Sequence, residues 1–107
     1  MPVDDIRSID YCAIDNNGNA VLVISDHLEW DKKNKHILIL QNKINAYLEG
    51  IENGALYSNY PAAKGKKIVI KIMAKYNPDA NGTIFLQHVK KRLEAAGYEL
   101  DFSVPKI

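Results

Sequence analysis

Lys67-Ile68-Val69-Ile70-Lys71-Ile72-Met73-Ala74-Lys75 decides how this chain folds. The segment has the two-residue period of a strand with one face in a core and the other toward water. Ile68, Ile70, Ile72 and Ala74 point one way; Lys67, Val69, Lys71, Met73 and Lys75 point the other. Downstream, Asn77-Pro78-Asp79 reads as a turn into a helix, with Asp79 as N-cap and Phe85, Leu86, Val89, Leu93 and Ala96 as the buried stripe. Gly97 ends that helix. The alternation then returns, with Tyr98, Leu100, Phe102 and Val104 inward and Glu99, Asp101 and Ser103 outward.

Upstream, Gly54 to Lys66 has no clear period and forms a long connection with room for one helical turn. Before it, Ile37, Leu38, Leu40, Ile44, Tyr47, Leu48 and Ile51 lie on one helical stripe, predicting a helix over residues 32 to 52. Asp31 is its expected N-cap, and Gly54 suits the left-handed C′ position. Lys35, Gln41, Asn42, Asn45 and Glu49 form its solvated side. Farther back, alternation over Ile9 to Ile14 and the apolar run Ala20 to Ser25 flank Asp15-Asn16-Asn17-Gly18-Asn19, where Asn-Gly signals a hairpin.

The resulting order, ββαβαβ, predicts an α+β two-layer sandwich: a four-stranded mixed sheet with two helices on one face. The outward lysines of residues 67 to 75 complement outward Glu99 and Asp101 if the last two strands are neighbours. A strand–helix–strand connection between parallel neighbours fits that pairing.

With 107 residues, 47% hydrophobic and 25% charged, the chain reads as one globular domain, residues 1 to 107, able to form a core without disulfide or metal. Cys12 is the lone cysteine and reads as a half-buried small hydrophobe. The first residues carry neither a basic patch nor an apolar run, and the longest apolar runs are far too short to span a bilayer, so a cytoplasmic location is expected. Net charge is +1, which gives no global attraction to nucleic acid or membrane. Residues 1 to 63 hold five Lys/Arg against nine Asp/Glu, and residues 64 to 107 hold nine against four.

Val23-Ile24-Ser25-Asp26-His27-Leu28-Glu29-Trp30, the Leu-rich helix ending in Ala46-Tyr47-Leu48, Tyr60-Pro61-Ala62-Ala63-Lys64-Gly65 and Leu93-Glu94-Ala95-Ala96-Gly97-Tyr98-Glu99-Leu100 carry a resemblance. Together they resemble an uncharacterised bacterial family of small domains of unknown function, marked by a Ser-Asp-His-Leu-x-Trp string. The resemblance covers nearly the whole chain. It implies a bacterial, cytoplasmic, single-domain protein and brings no activity and no assigned site.

Asp26, His27 and Asp31 are the candidate polar site, one imidazole and two carboxylates close in sequence. Side chains of adjacent Asp26 and His27 diverge on a strand, Asp31 is needed as a cap, and neither His36 nor His88 has a partner at a ligand spacing. No catalytic residue, metal site or cofactor is therefore assigned, and the chain is expected not to be an enzyme, a small enzyme centred on Asp26, His27 and Asp31 being one alternative. The basic clusters Lys64/Lys66/Lys67 and Lys90/Lys91/Arg92 raise a nucleic-acid alternative, with Lys71 joining the first cluster. The expected open sheet face has no aromatic residue on which a base could stack, which weighs against it. The favoured expectation is a protein-binding or self-associating module. Its partner surface comprises the open face (Lys67, Val69, Lys71, Met73, Lys75), the loop tyrosines Tyr57 and Tyr60, and Trp30 if its ring is exposed.

Overall fold

The computed structural model describes residues 12–105. In chain order the elements are β1 (Cys12–Ile14), β2 (Ala20–Asp26), α1 (Lys35–Glu52), α2 (Ala55–Asn59), a 3₁₀ turn (Pro61–Ala63), β3 (Ile68–Ala74), α3 (Ala80–Ala95) and β4 (Glu99–Ser103). The sheet order is β1-β2-β3-β4. β1 pairs antiparallel with β2, while β2 with β3 and β3 with β4 run parallel. The fold is thus the expected α+β arrangement with a mixed four-stranded sheet. The part of the first strand expected over Ile9 to Tyr11 lies outside the described residues.

Both parallel crossovers step in the same direction across the sheet. Right-handed connections then place both long helices on the same face. The core has that composition: Ala20, Leu22, Ile24, Ile68, Ile70 and Ile72 from one face of the sheet pack with Leu40, Ile44, Tyr47 and Ile51 of α1 and Leu86, Val89 and Leu93 of α3. Beyond Leu22, β2 has no β1 partner among the described residues, and there the Tyr47 hydroxyl donates to the Val23 carbonyl at 2.8 Å.

Local signals shape the connections. Asp15 Oδ1 accepts from the backbone N–H groups of Asn17 and Asn19, and Gly18 takes φ 80°, closing the hairpin. Asp79 caps α3 by accepting from Gly82 N–H at 2.7 Å. Gly54 and Gly97 follow α1 and α3 with φ 84° and 87°, as expected of C′ glycines.

Three expectations are corrected. Helix α1 begins at Lys35 rather than at residue 32, because Asn34 stands at its N-cap in the left-handed region. Leu38 and Ala96, expected on buried stripes, are exposed, Leu38 by 58%. Leu38 follows the stripe's own Ile37 by a single position, so the helix turns it about 100° toward solvent. Val69, expected in view on the open face, is only 5% exposed. It sits on central strand β3 between Val21 and Glu99, with Lys67 and Lys71 two residues away on the same face, and aliphatic lysine stems cover such positions.

Candidate functional site

Alternation along β2 continues past Ala20, Leu22 and Ile24 to Asp26, so the last residue of the strand presents a carboxylate on the helix-covered side. Asp26 is 2% exposed. A carboxylate there needs partners, since an unpaired buried charge is costly. They come from the start of α1. His36 Nε2 lies 2.7 and 2.6 Å from Asp26 Oδ1 and Oδ2, and Leu28 N–H donates to Oδ1 at 3.2 Å. His36 belongs to the buried stripe His36, Leu40, Ile44, Tyr47 and Ile51, so helix periodicity delivers it to the end of β2.

The segment between strand and helix closes over this pair. The Trp30 ring stacks on His36, centroids 4.0 Å apart at 41°. Its Nε1–H donates to the Tyr76 carbonyl at 3.2 Å. On α3, Gly82 faces the same indole: a Cβ at that position would come within 2.6 Å of Trp30 Cε3. Asn81 Nδ2 donates to Asn34 Oδ1 at 3.3 Å, tying the first turn of α3 to the start of α1. Asp31 completes the cover by accepting from the backbone N–H groups of Lys35 at 3.1 Å and His36 at 3.0 Å. The His36 N–H bond holds the Asp31 carboxyl below its ordinary value, burial opposes this, and the Lys35 N–H adds to the lowering. Asp31 is therefore not the expected N-cap residue, a place Asn34 takes, but its carboxylate reaches the first two N–H groups of the helix from three residues farther back.

Chemically, a carboxylate holding one imidazole nitrogen is the arrangement that orients a histidine base. Here, however, the ring is 2% exposed, and its Nδ1 is buried without a hydrogen-bond partner beneath Trp30. A depression of about 220 Å³ beside it is lined by Leu28, Glu29, Asp31, Lys35 and His36, yet Nδ1 itself is closed to solvent. In this conformation the pair ties β2 to α1.

The expected polar site therefore divides. Asp26 and Asp31 both act around His36, while His27 points to solvent, confirming that adjacent Asp26 and His27 diverge. No group of three or more metal-ligating side chains occurs among the described residues. Reading the chain for pairs close in sequence missed His36; reading the α1 stripe without setting its polar members aside would have found it. The same stripe holds Lys43, fully buried, its Nζ 5.1 Å from the Tyr47 ring centroid.

The expected partner surface also divides. Trp30, Tyr57 and Tyr60 are half-buried and pack against the core. Lys64, Lys66, Lys67 and Lys75 are exposed, Lys71 is half-buried and Met73 is 39% exposed. Ser25, His27, Met73, Lys75 and Pro105 line a shallow depression of about 420 Å³ at the carboxyl ends of the parallel strands. Burial pushes the half-buried Cys12 thiol above its ordinary value, away from nucleophilic use.

Residues 1–106 match the model of a family of unknown function, DUF6572. The chain belongs to that family. No curated protein and no solved structure matches it. Membership in DUF6572 agrees with the resemblance to a small domain of unknown function and assigns no role to the Asp26–His36 pair. Among the described residues no helix is long and apolar enough to cross a membrane.

Proposed function

We propose that this chain is a non-enzymatic binding module that meets another protein through the sheet face left bare by its helices. The observation that carries the reading is one-sided coverage: α1 and α3 pack on one face, while Met73 stands 39% exposed on the other amid half-buried Val21, Val23 and Lys71. A mixed apolar and charged patch of this kind suits a protein partner. The buried acid–imidazole pair supports a non-catalytic role, since both Asp26 oxygens and His36 Nε2 are engaged in joining β2 to α1. Among the described residues this face offers nucleic acid no aromatic platform: its outward residues on β3 and β4 are Val69, Lys71, Met73, Glu99, Asp101 and Ser103.

The test is capture of partners by wild type and by Met73→Asp. Met73 is the informative position because Val69→Asp would place a charge at a buried residue and disturb the fold. The expected result is a nuclease-resistant partner lost on Met73→Asp with the circular dichroism spectrum unchanged. Equal capture by both chains would remove the bare face from the explanation.

A further inference from the structure

Resting on that reading of the bare face, we propose that its partner is a second copy of this chain, with β3 of each copy lying over β4 of the other. The register puts opposites side by side. Lys71 is level with Asp101, and Met73 with Ser103. A two-fold axis running along the strands, between β3 and β4, carries each β3 row over the β4 row of the second copy at the same height. Lys71 then meets Asp101 of the second copy, and exposed Met73 meets short Ser103. Both contacts recur with the roles exchanged, the self-complementarity a two-fold interface requires.

Moving the axis between β2 and β3 loses this match. Lys71 would then lie over Val23 and Val69 over Val21, leaving the Glu99/Asp101 row without a cation opposite among the described residues. Within one copy the charge rows hold each other loosely. Lys67 Nζ is 3.9 Å from Glu99 Oε1, with both side chains about half exposed. Stacking two copies sets an Asp101 over each Lys71 as well as beside it on the neighbouring strand, a square of alternating charge.

The area sets the strength. With the axis between β3 and β4 only these two strands overlap the second copy, and at about 4.8 Å per strand and roughly six residues each they make a plate of about 200 Å² per copy, a quarter of a standard interface. Sheet twist rotates stacked strands by about 30°, so the central Lys71–Asp101 and Met73–Ser103 contacts dominate. A weak, transient dimer is expected, populated only toward the top of a concentration series.

Sedimentation and light scattering of wild type over roughly 1 to 500 µM should therefore show the mass rising from one chain toward two. Lys71→Glu and Asp101→Lys should each weaken association at least about tenfold, and the double variant Lys71→Glu/Asp101→Lys should restore it. Circular dichroism on every variant confirms the fold. A chain that stays monomeric throughout overturns the proposal. A dimer that the single changes do not weaken, or that the double change does not restore, overturns it too. A monomer that still loses a different protein partner on Met73→Asp overturns the second copy alone and keeps the binding-module reading. A monomer with no such partner overturns both.

Discussion

Each face of the sheet buries one residue unlike its neighbours along the strand, and the fold treats the two differently. On the helix-covered face, Asp26 interrupts an aliphatic array and is hydrogen-bonded by a dedicated partner, His36, under a fixed indole. On the bare face, Val69 interrupts a charged row and is covered by its neighbours along and across the strand, with no dedicated partner. A buried charge demands directional bonds at defined distances, whereas a buried valine requires only that water be kept away. Constraint therefore concentrates at the carboxyl end of β2 and stays diffuse over the outer face.

The largest break in this comparison should come from His36→Ala, which strands Asp26 in the interior. Loss of one member of a buried pair costs about 3–5 kcal/mol, read by urea denaturation. Asp26→Leu/His36→Leu should recover much of that loss, and a double variant as unstable as His36→Ala would show that the ring, not the charge, matters. Next comes Gly82→Ala, whose methyl would press on Trp30 at 2.6 Å; overpacking of this kind costs about 1–3 kcal/mol, and the tryptophan emission should shift with it. On the other face, Val69→Ala should cost about 1.5 kcal/mol, at about 0.8 kcal/mol for each buried carbon removed. Met73→Ala should stay within about 0.5 kcal/mol, as surface changes do. Equal losses at the two positions would erase the distinction between them.

The smallest effect belongs to Asp31, whose carboxylate is solvated. Its lowered folded value means its stabilisation is present above the ordinary 3.8 and is lost as pH falls through the folded value, below 3.8. Acid titration followed by amide exchange at Lys35 and His36 should show faster opening there in wild type, a step missing in Asp31→Asn.

Period, turn residues and charge complement together made the fold readable. Alternation over residues 67–75 and 98–104, two amphipathic stripes and the turns at Asn17-Gly18 and Asn77-Pro78-Asp79 fixed the elements, and the Lys/acid complement anticipated the parallel β3–β4 pairing. The first turn of α1 was less readable because Asn34 adopts a left-handed conformation that the side-chain pattern does not encode. The Asp26–His36 pair was overlooked because its members stand ten residues apart and meet only when the strand period and the helix period are carried to their ends together. Lys43 shows the same effect, since the α1 stripe holds it as firmly as it holds Ile44.

Trp30 is the sole tryptophan, and its indole touches His36 of α1, Gly82 of α3 and the carbonyl of Tyr76 just beyond β3. Every photon emitted at tryptophan wavelengths therefore originates where both crossover connections converge. Stopped-flow fluorescence thus times the closing of that junction, while far-ultraviolet dichroism times the helices. A lag between the two signals would order the steps by which the chain assembles, with no label attached.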